Sequence, residues 1–261
     1  MSDIFCSLRG LSVTYGRGAV ALEAVDLNIV AGERLAIIGE SGSGKSTLAR
    51  ALAGLLPEGA RVSGEMRWPG LGRPPRPGRD FGFVFQDPGS SLNPVLTIGE
   101  QIAEGARRHL GLGWKQAYVR AEELLERVRM PQPEKVIRAF PHQLSGGQRQ
   151  RVAIAAAIAA RPALLIADEA TSALDVVVQA EIIRLLDGLV RQDGMTLVFI
   201  THDIALASGF VDHIAVFHNA RLVESGPVRS VLSAPKSDYT ATLIASHRDL
   251  ETPPLIAGVL A

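Results

Sequence analysis

The run Gly39-Glu40-Ser41-Gly42-Ser43-Gly44-Lys45-Ser46-Thr47 has the residue types and spacing to grip phosphate. It follows an apolar strand, Leu35 to Ile38, and opens an apolar-periodic helix expected over Leu48 to Leu56, the order a phosphate loop needs. Glycines let the backbone curl until several N–H groups face phosphate oxygens. The helix N-terminus adds its positive end, and Lys45 brings a point charge near the β and γ phosphates. Ser46 is then placed to hold Mg²⁺ through its hydroxyl. A dinucleotide-binding loop also begins as Gly42-Ser43-Gly44 does, but Thr47 stands where that pattern has its third glycine, so that reading fails.

A nucleoside triphosphate site needs an acidic group for the metal and a group that positions water. The strand-like run Ala163 to Ala167, ending in Asp168 and Glu169, offers both. Asp168 would act on Mg²⁺ through its water shell, and Glu169 would point toward the γ phosphate and orient or deprotonate the attacking water. A third feature is Leu144-Ser145-Gly146-Gly147-Gln148 ahead of a helix-like stretch, Arg149 to Ala160. Alone it reads as a helix cap. Beside the other two motifs it reads as a second cluster of backbone N–H groups at a helix N-terminus, so that one chain offers two phosphate cradles.

These residues need a frame to hold them. Strand-like runs fall at Ile4 to Tyr15, Val25 to Ile29, Leu35 to Ile38, Phe81 to Phe85, Leu164 to Ala167, Leu197 to Thr201 and Ile214 to Phe217. Three of them, LAII, LLIA and LVFI, are apolar throughout, as strands of a parallel sheet covered on both faces must be. The hairpin-like spacing before residue 30 adds an antiparallel portion. Between Thr97 and Ala139 the pattern turns helical, with amphipathic spacing over Ala121 to Val128, and reads as an inserted helical subdomain. The Pro-, Gly- and Arg-rich stretch Arg67 to Asp80 reads as an irregular surface loop.

Composition narrows the function classes. With 47% hydrophobic and 21% charged residues, the chain of 261 can bury a large core, which excludes disorder for most of it. Twenty-seven basic residues balance twenty-seven acidic ones, so no global field gathers nucleic acid, and no nucleic-acid partner is expected. The first residues, MSDIF, lack the basic start and apolar run of a secretory signal. Cys6, alone in a strand pattern, reads as a small buried hydrophobe. The longest apolar stretch, Val152 to Ala160, stops at Arg161 and Pro162, short of the roughly 20 residues a membrane-crossing helix needs.

The order of motifs resembles the ATP-binding cassette ATPases: the phosphate loop, Gln86 after FGFVF, LSGGQ, LLIADE, Ser172-Ala-Leu-Asp175, and His202 after LVFIT. The likeness runs from about residue 5 to 232, and LSGGQ in this position is nearly unique to that family. The implied fold is α/β, a P-loop NTPase of the cassette type with a mixed core sheet, an antiparallel β portion and the inserted helical subdomain. The implied division is an ATPase core over 1–96 and 161–233, a helical subdomain with the signature over 97–160, and a short C-terminal extension over 234–261. ATP and Mg²⁺ are the implied cofactors. Tyr15 matches the aromatic that stacks on adenine, Gln86 the glutamine that senses Mg²⁺ and the water, His202 the histidine that contacts the γ phosphate, and Asp175 the aspartate that links two active sites. In the family, LSGGQ of one subunit closes over ATP on the phosphate loop of another. A second cassette subunit, identical or paralogous, is therefore implied.

Two finer likenesses point to the ATPases of peptide and nickel importers: Gln86-Asp-Pro-Gly-Ser-Ser-Leu-Asn-Pro94, and the stretch from Ala234 through Tyr239 to Leu243. Ser237-Asp238 stands where that group has His-Pro, Ala170 replaces the usual proline after the acidic pair, and the cysteine cluster of some members is lacking, so no iron–sulfur site is expected. The expectation is a peripheral subunit on the cytoplasmic face of the cell membrane. It would be docked under integral-membrane permease subunits through Gln86 to Asn93 and the helical region, and served indirectly by an extracytoplasmic solute-binding protein. A soluble cassette ATPase acting as an assembly factor is the alternative. A small-molecule kinase has no use for LSGGQ.

Overall fold

The computed structural model describes residues 3–16, 18–172 and 174–246. In chain order the strands are β1 (Ile4–Tyr15), β2 (Ala19–Val30), β3 (Arg34–Ile38), β4 (Arg61–Arg67), β5 (Phe81–Val84), β6 (Leu164–Asp168), β7 (Thr196–Thr201), β8 (His213–His218) and β9 (Arg221–Pro227). The helices are α1 (Lys45–Ala53), α2 (Pro88–Ser91), α3 (Ile98–Leu110), α4 (Trp114–Arg127), α5 (Pro133–Val136), α6 (Gly146–Ile158), α7 (Val176–Asp193), α8 (Ile204–Ser208), α9 (Val228–Ser233) and α10 (Asp238–Ser246). The chain forms two compact units, one from residues 1–75 and 194–261, the other from 76–193 inserted between them.

The first unit contains a mixed sheet and an antiparallel one. In the mixed sheet the order is β7-β3-β8-β9. β3 pairs in parallel with β7 and β8, and β8 turns back antiparallel into β9. Every residue of β3 and β7 is buried, as the apolar runs LAII and LVFI within them require. At the start of β3, Arg34 donates from Nε and Nη2 to the two carboxylate oxygens of Asp212, at 3.0 and 2.6 Å, pinning the approach to β8. The antiparallel sheet runs β2-β1-β4, with Cys6, Leu8, Leu11 and Val13 of β1 buried. The Cys6 thiol, fully buried, is pushed up to about 12 by desolvation, as a packing residue would be.

In the second unit β5 pairs in parallel with β6, and helix α6 packs on β5, α3, α4 and α7. The α3 start is fixed by Thr97, whose hydroxyl accepts the Glu100 N–H while the Glu100 carboxylate accepts the Thr97 N–H, a reciprocal cap.

The α/β class with a mixed sheet, an antiparallel sheet and helices inserted in the chain is therefore as expected. Several bounds differ. β2 begins at Ala19 rather than Val25, β5 ends at Val84, and α1 stops at Ala53 because Gly54 takes a left-handed conformation there. The stretch from Arg67 is not wholly irregular: Arg67 closes β4, and Pro69–Leu71 makes one 3₁₀ turn. β4 and β9 were not foreseen. Of the expected C-terminal extension, 247–261 lies outside the described residues, as does Ala173 of the Ser172-to-Asp175 run.

Candidate functional site

In the first unit, the loop between β3 and α1 has the shape of an anion cradle. Gly42 and Gly44 take φ of 81° and 103°, values that non-glycine residues rarely adopt. Gly44 also lies so close to β2 that a Cβ there would come within 2.5 Å of the Ala21 carbonyl oxygen. Gly44 is the N-cap of α1 and gives it no side-chain cap, and the first turn has no acidic residue. The helix thus presents its positive end without an internal counter-charge.

Lys45 is buried, and its Nζ donates to the carbonyl oxygens of Gly39 at 2.8 Å and Glu40 at 2.7 Å, so its charge is held inside the loop. The Ser43 hydroxyl is buried and has no hydrogen-bond partner among the described residues. An orphan polar atom in such a loop suits a bound oxyanion. Ser41 is exposed, while Ser46 and Thr47 are half-buried on the first turn. The half-buried Tyr15, at the end of β1, donates its hydroxyl to Thr47 Oγ1 at 3.2 Å. His202 follows β7 and is exposed.

In the second unit, β6 ends on buried Asp168, followed by half-buried Glu169. Gln86 Nε2 donates to Glu169 Oε2 at 3.0 Å, bringing the two together. Glu169 has φ +47°, a left-handed conformation uncommon for a side-chain-bearing residue and typical of functional positions. The turn that holds it is closed by the Ser172 N–H and hydroxyl, both donating to the Glu169 carbonyl. Ser145 caps α6: its hydroxyl accepts the Gln148 N–H at 3.3 Å, and Gln148 Oε1 accepts the Ser145 N–H at 2.9 Å. Ser145 and Gly146 are exposed, and Gly147 packs closely on Val178, whose Cγ1 would be 2.9 Å from a Cβ there. Asp175 accepts the Val178 N–H at 3.0 Å, capping α7.

The structure thus joins Tyr15 with Thr47, Lys45 with Gly39 and Glu40, Gln86 with Glu169, and Ser145 with Gln148. Among the described residues no hydrogen bond joins His202 to another expected site residue. One contact to the loop was not foreseen: the Glu40 N–H donates to the Tyr239 hydroxyl of α10 at 3.3 Å. Nothing in the local pattern around Tyr239 signals it.

With this geometry in place, residues 22–172 match the family model described as ABC transporter. The chain belongs to the ABC transporter family. Among curated relatives of this ABC transporter chain is a peptidoglycan transport ATP-binding protein of Agrobacterium fabrum, 43% identical over 97% of the chain. A glutathione import ATP-binding protein of Salmonella typhimurium and an oligopeptide transport ATP-binding protein of Bacillus subtilis are each 42% identical over 92% of it. The chain spans 50%, 41% and 70% of the lengths of these three. Among solved structures, a dimeric ATP-binding cassette in a post-hydrolysis state bound to ADP and Pi superposes with TM-score 0.72 at 31% identity, covering 86% of this chain and 99% of that one. The protein cbiO1 of Clostridium perfringens, described as part of the ABC transporter complex cbiONQ, gives TM-score 0.75 at 30% identity, covering 89% and 92%.

Proposed function

We propose that this chain binds and hydrolyses ATP as the nucleotide-binding subunit of an importer, energising uptake of peptides or a related small solute, with nickel a further candidate. The observation that carries the hydrolytic part is the hydrogen bond from Gln86 Nε2 to Glu169 Oε2, which fixes the carboxylate at the end of a buried strand. On this reading Glu169 accepts a proton from water as the water oxygen bonds to the γ phosphorus. The bond from that phosphorus to the β–γ bridging oxygen breaks, and ADP leaves with the electron pair. The loop N–H groups and Lys45 hold the β and γ phosphates, the Tyr15 ring lies under adenine, and His202 stabilises charge on the γ phosphate.

Ser46, Asp168 and the Gln86 amide oxygen are hard oxygen donors of the kind Mg²⁺ takes. When bound, Mg²⁺ neutralises charge on the phosphates.

The Ser145-Gly146-Gly147-Gln148 turn, exposed at Ser145 and Gly146, supports a second copy or a paralogous cassette as the partner that caps the nucleotide, with Asp175 linking the two sites. Head-to-tail pairing, as the likeness to the cassette family implies, would set the signature of one cassette over the nucleotide held by the loop of the other. Import and peptide cargo are supported by the relatives, a glutathione import and an oligopeptide transport ATP-binding protein. As the likeness to importer ATPases implies, a permease would supply the path across the membrane, met by Gln86 to Asn93 and the helical region of 97–160; no helix among the described residues is long and apolar enough to cross one. The subunit would sit on the cytoplasmic face, and a solute-binding protein would select cargo outside.

The test is Glu169→Gln. It should keep ATP affinity, lower steady-state phosphate release by about 100-fold or more, and accumulate a nucleotide-bound dimer in size-exclusion chromatography. Unimpaired turnover would remove Glu169 from its role. Detergent extraction of the native complex should bring down a multi-spanning protein. A purely soluble complex would favour an assembly factor instead.

A further inference from the structure

Tyr239, near the start of α10, reaches the phosphate loop, and we propose that it is a positioning residue for nucleotide binding. The Glu40 peptide is held from both sides. Its N–H donates to Tyr239 Oη at 3.3 Å, while its carbonyl oxygen accepts from Lys45 Nζ at 2.7 Å and from the Ser43 N–H at 3.2 Å. The preceding residue, Gly39, is pressed against β8, where a Cβ would lie 2.1 Å from the Phe217 carbonyl oxygen. The next residue of that strand, His218, stacks its ring on the Tyr239 ring, with centroids 3.9 Å apart and planes at 28°. One corner of β8 therefore holds the loop by its backbone and the phenol by a ring.

The base of α10 is fixed in turn by the Glu224 carboxylate, which accepts the N–H groups of Lys236 and Ser237 at 2.9 and 3.1 Å. Burial raises the Tyr239 phenol above its ordinary 10.0, so it stays neutral and its oxygen remains a plain acceptor.

The consequence lies in what Lys45 must do. To serve a phosphate, its ammonium shares or gives up the Gly39 and Glu40 carbonyls it now holds. The Glu40 peptide then keeps its orientation through the Ser43 N–H and the phenol. Without the phenol the loop has more conformations to lose on binding, a cost that appears as weaker affinity rather than slower chemistry.

The inference rests on the reading that ATP occupies this loop. The experiment therefore compares Tyr239→Phe, which keeps the ring stack and loses the acceptor, with Lys45→Ala in the full chain, using equilibrium binding of ATP and thermal unfolding. We expect Tyr239→Phe to bind ATP about 3- to 10-fold more weakly, the size of one neutral hydrogen bond. KM for ATP should rise in step, with kcat and the unfolding midpoint near those of the unaltered chain. Tyr239→Ala should lose more, because the stack goes too. If Lys45→Ala loses ATP while Tyr239→Phe binds as the unaltered chain does, the positioning role is overturned and Tyr239 only packs. If Tyr239→Phe lowers kcat and leaves KM unchanged, the positioning role is equally overturned. If Lys45→Ala also binds ATP normally, the loop itself has been misread.

Discussion

Replacing Gly44 by alanine tests whether the phosphate loop is shaped by backbone contact with β2 or only by its own turn. At φ 103° an alanine at this position is strained, by about 1–2 kcal/mol for a left-handed residue. Its Cβ would also meet the Ala21 carbonyl at 2.5 Å and Leu22 Cδ2 at 2.9 Å. Relieving such crowding costs about 1–3 kcal/mol, while the stiffer unfolded chain returns about 0.4–1 kcal/mol. The net loss is about 1–5 kcal/mol, centred near 3, which at about 2–4 °C per kcal/mol for a chain of this size lowers the unfolding midpoint by about 2–18 °C. Gly42→Ala is the internal control. It has positive φ of 81° but nothing within 4 Å of its would-be Cβ, so it carries the conformational term alone, less the same return from the unfolded chain, about 0–6 °C. Calorimetry on the two variants, without nucleotide, isolates the contact with β2. Equal midpoints for Gly42→Ala and Gly44→Ala would refute the argument, because the closeness of Ala21 would then have no energetic meaning.

The remaining predictions concern a thiol and a carboxylate. Cys6, fully buried with its thiol pushed up to about 12, should resist a thiol-specific reagent at pH 8 in the folded chain and react fully in denaturant; ready labelling of the native chain would contradict the packing of β1. Burial would raise Glu224, but the N–H groups of Lys236 and Ser237 outweigh it and hold the carboxyl below its ordinary 4.5. A depressed carboxyl stabilises the fold above the unfolded value, and that stabilisation is lost as pH falls through the folded one. The midpoint gap between the unaltered chain and Glu224→Gln should therefore be open at pH 7 and close below about pH 4.5; a gap that widens on acidification would reverse the sign of this reasoning.

How far the chain can be read without its coordinates depends on where each residue's partners lie. β3, β6 and β7 are legible because they are buried along their whole length, so apolar runs betray them. β4, RVSGEMR, is exposed at nearly every position and shows no alternation, though it pairs antiparallel with β1. β9 is hidden for a related reason. The turn that creates its hairpin is Asn219-Ala220, both at positive φ, where alanine takes a place that glycine usually marks.

At the site, local motifs announce themselves because phosphate chemistry needs several glycines and polar groups within a few residues. Gln86 and Glu169 are 83 positions apart; likeness to a family singles out Gln86, but its hydrogen bond to Glu169 is visible only in the folded chain. Tyr239 is a stronger case, since 199 positions separate it from the Glu40 peptide it holds. A short C-terminal helix with a tyrosine near its start has no distinctive pattern. What singles it out is the sheet, which carries β8 beside β3 so that Phe217 presses on Gly39 while His218 presents its ring to the phenol. The chemistry of the loop is thus written locally, whereas its stiffness is set by residues that only the folded chain brings near. Substitutions far from the glycine run in sequence should consequently alter nucleotide affinity while leaving every recognisable motif intact.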